Sequence, residues 1–333
     1  MHKGLQIGIC SFALLASSIP AAKATDWDAL TSRAKAEGKV TVYTSATASS
    51  VHEAIAAAFT KKYGIKVSIL NLRASEILER VKTEQASGKV FGDVFQNGVE
   101  TYEAQNYQSE RCDVRNQASF RPDLKLADGA VPNFVLGYGI MANTNMVGAD
   151  TAPKSWSDLL ASQWKGQILS DDPRALGGGY IMFSTFQTQL SPDFNERLAK
   201  QQPTLSRDIG FMERRVAQGE FPIRIPQQFP NILRLKGLPV KLIIPDEGVP
   251  FLRFDLARLK SALHPNAACL FIDFLTSNEV QMMYANAGLV PAIKLNESQI
   301  SPEVLPLVRA KLLGTGSLGT QEQMLRLARK LYP

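Results

Sequence analysis

The sequence predicts an α/β fold of two lobes, each a mostly parallel sheet flanked by helices, joined by strands that cross between them. Strand-like and helix-like stretches alternate near the start, as in Gly38-Lys-Val-Thr-Val-Tyr-Thr44, Val51 to Tyr63 and Ile65 to Leu70, and such alternation builds parallel sheets. The length of 333 residues and the hydrophobic fraction of 45% are enough for two separate cores. Two extended stretches, Phe134-Val-Leu-Gly-Tyr-Gly-Ile-Met-Ala142 and the one after the bend Asp246-Glu-Gly-Val-Pro250, read as the outward and return crossings.

The first residues read as a secretory signal. His2 and Lys3 precede an apolar run from Leu5 to Ala16, and Ala22-Lys-Ala24 offers small residues for cleavage before Thr25. That run is too short to span a bilayer, so the mature chain is expected to be exported and soluble; an uncleaved anchor is the alternative. Removing Lys3 and Lys23 lowers the formal charge from +6 to +4. The excess is spread along the chain without a basic run, which argues against nucleic acid and suits a small anion. Cys112 and Cys269 remain after cleavage; an exported compartment permits their pairing, and sequence leaves the question open. They lack metal-site spacing.

Trp27 onward reads as a short helix, Gly38 to Thr44 as a buried strand, and Val51 to Tyr63 as a helix capped by the hydroxyls of Ser45 to Ser50 and stopped by Gly64. Ile65 to Leu70 completes a β-α-β unit. A second unit has Ser75 as cap of a helix from Glu76 to Ala86 and a strand from Gly92 to Gln96. Ligands of such sheets lie beyond the carboxyl ends of strands, which singles out Ser45, Thr47, Arg73, Ser75 and Asn97 as one rim, with helix capping as the plain alternative for each. Thr101 to Asp128 is polar and irregular. Ser155 caps a further helix, Leu190 to Gln201 and Arg207 to Gly219 read as helices, and Ile223 to Ile225 and Pro239 to Pro245 as strands. Asn266 to Leu275 is an amphipathic helix, Ser277 opens another, and the remainder to Pro333 reads as helical. His52 is expected on a helix surface, and Trp156 and Trp164 in packing. The resulting division is 1–24 signal, 25–136 first lobe, 137–246 second lobe, 247–280 return to the first lobe, and 281–333 packing across both.

The stretch Gln167-Ile-Leu-Ser-Asp-Asp-Pro-Arg174-Ala-Leu-Gly177-Gly-Gly-Tyr180 reads as a strand that stops and a helix that starts. Gly177, Gly178 and Gly179 let several backbone N–H groups converge where the helix dipole favours negative charge. Arg174 beside them is suited to clamping a carboxylate or phosphate through two hydrogen bonds. A flexible loop with a surface arginine is the plain reading, since the spacing matches neither nucleotide-binding fingerprint. Glu247, at the presumed hinge, is a further candidate, with a structural hydrogen bond as its alternative.

The order of Val40-Thr-Val-Tyr-Thr-Ser45, Gly92-Asp-Val, Asp172-Pro-Arg174, Val216-Ala-Gln-Gly-Glu220, Pro245-Asp-Glu-Gly-Val-Pro250 and Phe271-Ile-Asp-Phe-Leu-Thr-Ser277 resembles periplasmic solute-binding proteins of ABC importers, in the branch that includes ferric-ion and organic-anion binders. The resemblance implies a two-lobed periplasmic binding protein fold (type II), hinge closure on a ligand, an ABC permease as partner, a periplasmic monomer, and neither catalysis nor a cofactor. It also implies a place for the ferric ligands, adjacent tyrosines after the Gly-Glu turn, and that region here carries Gln227 and Gln228 in Ile223-Arg-Ile-Pro-Gln-Gln-Phe229. Iron is thereby disfavoured, and the expected solute is a small organic anion: a phosphate ester, phosphonate or carboxylate. The alternatives are an iron receptor with a non-tyrosine shell and an exported hydrolase on a similar scaffold, although no nucleophile elbow or metal-binding His pair is present.

Overall fold

The computed structural model describes residues 25–46, 49–98, 109–124 and 130–333. The signal stretch, Thr47 and the two ends of the irregular region, 101–108 and 125–128, lie outside the described residues.

In chain order the helices are α1 (Trp27–Glu37), α2 (Ser49–Tyr63), α3 (Ala74–Ser87), α4 (Gly178–Gln189), α5 (Phe194–Ala199), α6 (Ile209–Ala217), α7 (Phe229–Arg234), α8 (Pro265–Leu275), α9 (Asn278–Asn286), α10 (Leu305–Val308) and α11 (Gln321–Leu331). The strands are β1 (Lys39–Thr44), β2 (Lys66–Asn71), β3 (Val94–Gly98), β4 (Ser109–Glu110), β5 (Val131–Asn143), β6 (Ile168–Asp171), β7 (Thr204–Ser206), β8 (Ile223–Gln228), β9 (Val240–Ile243), β10 (Val249–Leu259), β11 (Val290–Pro291) and β12 (Leu312–Gly314). Strands follow one another across the molecule in the order β2-β1-β3-β10-β5-β8-β6-β7. At one end β1 runs parallel to β2 and β3, and at the other β6 runs parallel to β7 and β8. The two central strands, β10 and β5, are antiparallel to each other and to β3 and β8, and join these halves.

β5 makes the junction. Its first half, Val131 to Gly137, pairs with β10, and its second half, Tyr138 to Asn143, pairs with β8 and β9. Two glycines make this possible because other chain segments lie against them. A Cβ on Gly137 would fall 2.5 Å from the Phe229 ring, and one on Gly139 would fall 2.6 Å from the Ile243 carbonyl oxygen. The strand passes unbroken through both glycines, from Val131 to Asn143.

Separate cores fill the two ends. Val40, Val42, Phe59, Phe134, Phe254, Phe271 and Phe274 pack around the first sheet, and Ile140, Trp156, Met182, Phe186, Phe194 and Ile223 around the second. Trp156 and Trp164 are buried, Trp156 donating from Nε1 to the Gly248 carbonyl at 2.8 Å. Cys112 and Cys269 are joined by a disulfide that ties the segment after β4 to α8. Among the described residues no helix is long and apolar enough to cross a membrane.

Four expectations are corrected. The stretch after Ser155 forms two short 3₁₀ turns, Ser157–Leu160 and Ser162–Trp164, rather than one helix. Arg73, not Ser75, is the cap residue of α3. The chain after α9 is not all helix, because β11 pairs with β5 and β12 with β10. His52 is buried, with 5% of its surface exposed, because α2 turns it toward Phe134 and Tyr284, each ring centroid 6.3 Å away.

Neither nitrogen of His52 has a hydrogen-bond partner among the described residues, and burial pushes its pKa down from 6.5 to about 4. The unfolded chain therefore takes up this proton at higher pH than the folded one. His52 should leave stability intact above about pH 6.5 and withdraw about 3 kcal/mol as pH falls toward 4. Denaturant melts across that range should show this acid limb flatten in His52→Phe.

Candidate functional site

A cleft of about 320 Å³ lies where the two sheets meet. Its floor is apolar and comes from the crossing strands: Phe134, Leu136 and Tyr138 from β5, and Leu252 and Phe254 from β10. Ser45 and Ala46, at the carboxyl end of β1, enter from the first sheet. From the second sheet come Asp171, Leu176, Gly177, Gly178, Ile181, Arg207, Ile209, Gln228, Pro230, Asn231 and Arg234, with Leu289 beside them.

The glycine step is built around a carboxylate. β6 ends at Asp171, and Gly177, the cap residue of α4, holds φ at 151°, a value that favours glycine. A Cβ on Gly179 would fall 2.6 Å from the Asp171 carbonyl oxygen, so only glycine lets the helix start this close to the strand end. The Gly179 N–H donates to Asp171 Oδ2 at 2.9 Å. One of the amides expected to face an anion is thus satisfied by the chain's own carboxylate. The N–H groups of Gly177 and Gly178 have no partner from the chain among the described residues. Burial pushes the Asp171 pKa up, opposed by the Gly179 N–H and by the positive fields of Arg224 and Arg207.

Behind the cleft lies a buried polar cluster. Arg224, 1% exposed, donates from Nη1 to the Pro226 carbonyl at 2.9 Å and to Gln227 Oε1. Gln227 Nε2 and Asn231 Nδ2 both donate to Glu213 Oε1, at 2.9 and 2.8 Å. A buried cation of this kind needs a nearby anion, and the Glu213 carboxylate supplies it.

At the mouth, Arg207 and Arg234 are exposed and make no salt bridge among the described residues. Arginine is always charged in proteins. The cleft lining therefore carries two guanidiniums against the single carboxylate of Asp171.

Of the residues singled out from sequence, Ser45, Gly177, Gly178 and Gln228 come together in this cleft, and Thr47 lies outside the described residues. The others do not line it, each for a visible reason. Asn97 is buried behind Ser45 and accepts a hydrogen bond from its hydroxyl. Arg73 and Ser75 are exposed at the start of α3. Gln227 is turned inward to Glu213 and Arg224. Gly179 is sealed by Asp171. The Glu247 carboxylate accepts from the Trp156 and Ser157 amides at 3.0 and 3.3 Å, capping a 3₁₀ turn. Arg174 is held by both oxygens of Asp172, at 2.9 and 3.0 Å, and donates to the Tyr332 carbonyl at 3.1 Å. Its fork geometry is used as foreseen, but on the chain itself.

Arg207, Arg234, Asn231 and Asp171 were not singled out for the site. The signal for Arg207 was present: it follows β7, a parallel strand that sequence reading passed over between two helices, and its place beyond that strand's carboxyl end is a ligand rim. Arg234 ends α7, a short helix also unread.

Residues 88–314 match the model of the bacterial extracellular solute-binding protein family, and the chain belongs to that family. An uncharacterized protein of Haemophilus influenzae is 27% identical over 278 residues, covering 78% of this chain and 79% of its own. Among solved structures, iron-bound HitA of Pseudomonas aeruginosa superposes with a TM-score of 0.70 at 21% identity, covering 88% of this chain and 99% of HitA. AfuA of Actinobacillus pleuropneumoniae with fructose-6-phosphate gives 0.65 at 18% identity, covering 87% and 97%. These likenesses establish the α/β periplasmic binding protein fold.

Two outcomes are expected from the glycine step and its neighbour. Gly179→Ala should cost about 1–3 kcal/mol in denaturant melts, because its methyl meets backbone that cannot yield. Arg174→Ala should leave solute affinity unchanged by calorimetry and lower stability by no more than about 1 kcal/mol, since its ion pair is partly solvent-screened.

Proposed function

We propose that this protein is the solute receptor of an ABC importer, exported to the periplasm as a monomer by its N-terminal signal. It captures a small organic anion in the cleft and delivers it to the membrane permease. The observation that carries this reading is the pair Arg207 and Arg234, permanently charged groups that face the cleft without an ion pair among the described residues. A phosphate ester, phosphonate or carboxylate supplies the charge they lack, and the free N–H groups of Gly177 and Gly178 add donors for its oxygens. Ser45 and Gln228 complete the ring from opposite sides, so that a bound solute bridges the two sheets and favours closure about the crossing strands.

The two solved relatives named above hold ligands of opposite charge, iron in one and fructose-6-phosphate in the other. The balance of charge favours the anion, because two guanidiniums repel a trivalent cation that a single carboxylate attracts. The volume, at the lower end for ligand pockets, suits a small metabolite.

Calorimetry with a panel of phosphate esters, phosphonates and carboxylates tests the reading. At least one is expected to bind, and Arg207→Ala or Arg234→Ala should weaken it about tenfold or more, as loss of a charged hydrogen bond does. Solution scattering should show compaction with that ligand. Tight ferric-ion binding with colour, and no affinity for any anion, would overturn the proposal.

A further inference from the structure

We infer that the solute is bipolar: a molecule with an anionic group at one end and an ammonium group at the other, joined by a short apolar spacer. Asp171 receives the cationic end, and Arg207 and Arg234 the anionic end. This rests on the anion-binding reading above and narrows it to zwitterions such as ω-amino phosphonates and ω-amino acids.

The position of Asp171 is the first argument. Its carboxylate stands in the glycine step, where a Cβ on Gly178 would fall 3.1 Å from Oδ2 and one on Gly177 3.8 Å away. An anion alone would meet a like charge there as the cleft closes and loses water, which weakens binding. An ammonium group turns that repulsion into a charge-assisted hydrogen bond. Gly179 N–H at 2.9 Å uses one of the about four acceptor positions of a carboxylate, leaving capacity for a ligand donor.

Asp171 forms no salt bridge among the described residues, although the fields of Arg224 and Arg207 act on it. Arg224 lies behind it and feels the fields of both Glu213 and Asp171, Glu213 the stronger, with the Gln227 side chain linking Arg224 to Glu213. Arg174 is paired with Asp172. Arg207 is exposed and acts on Asp171 through its field without forming a salt bridge among the described residues.

The walls give the third argument. Leu136, Ile181, Leu252 and Leu289 line the same cleft as the charged groups. Such surface favours methylene groups over the hydroxyls of a sugar. Of the two amide side chains that line the cleft, Asn231 already donates to Glu213 at 2.8 Å.

The test uses matched probes that differ only in the amine. 2-Aminoethylphosphonate is compared with propylphosphonate, 3-aminopropylphosphonate with butylphosphonate, and 5-aminopentanoate with hexanoate, by calorimetry on the mature protein. The amine-bearing member of at least one pair is expected to bind about tenfold or more tightly than its partner. Asp171→Asn, whose amide oxygen can still accept from Gly179, should remove that advantage while keeping the wild-type melting temperature within a few degrees. Arg207→Ala should weaken both members of the pair alike. If the amine-free members bind equally well or better, the bipolar inference fails and the anion reading stands. If no member of any pair binds, the inference fails; if putrescine or ferric ion then binds instead, the anion reading fails with it. The wild-type comparison decides even if a variant does not fold.

Discussion

One thirteen-residue strand belongs to both halves of this molecule, and the cleft exists because it does. β5 gives its first half to β10 and its second half to β8 and β9, so the hydrogen bonds that hold each sheet together also fix the two sheets relative to each other. The strand is buried along its whole length. Its glycines at 137 and 139 admit Phe229 and the Ile243 carbonyl at distances no side chain would permit. Part of the cleft is placed by this crossing: Phe134, Leu136 and Tyr138 directly, and Gln228 and the following Asn231 through the pairing of β8 with Tyr138 and Gly139.

The second half of the site is organised by charge taken out of water. A buried arginine is costly unless an anion and hydrogen bonds accompany it. Arg224 meets that condition through the Gln227 bridge, with Glu213 as the balancing anion. The same bridge holds Asn231 on the side of the cleft. Gln227 and Gln228 are adjacent in sequence yet serve opposite sides of the strand, as period-two alternation requires: one supports the buried cluster and the other lines the cleft.

The glycine step was legible as a strand end followed by a helix start, and both are present at Asp171 and Gly178. What could not be read was which anion the helix start receives first. Asp171 is six residues ahead of Gly177 and shows no spacing pattern with it; only the turn through Pro173 returns its side chain to the Gly179 N–H. Arg174 illustrates the same limit. Its affinity for a carboxylate follows from its chemistry, but Asp172, two residues away, and the Tyr332 carbonyl, distant in sequence, are its partners. Arg207 follows β7, a strand of only three residues, so its place at a strand end was a weak signal and the stretch was passed over.

The amino-acid sequence by itself determined the alternating strands and helices, the two crossing segments, the helix stop at Gly64, and through their order the likeness to solute-binding proteins. These are local properties, set by propensity, period and glycine's conformational freedom over a few neighbouring residues. Tertiary structure alone decided that His52 is buried, that Cys112 meets Cys269, that Arg174 and Glu247 serve the scaffold, and that Arg207, Arg234 and Asp171 share one cleft. Each of these depends on which residues distant in the chain come within a few ångströms. That is set by the packing of both sheets around a shared strand, for which no local pattern is a guide.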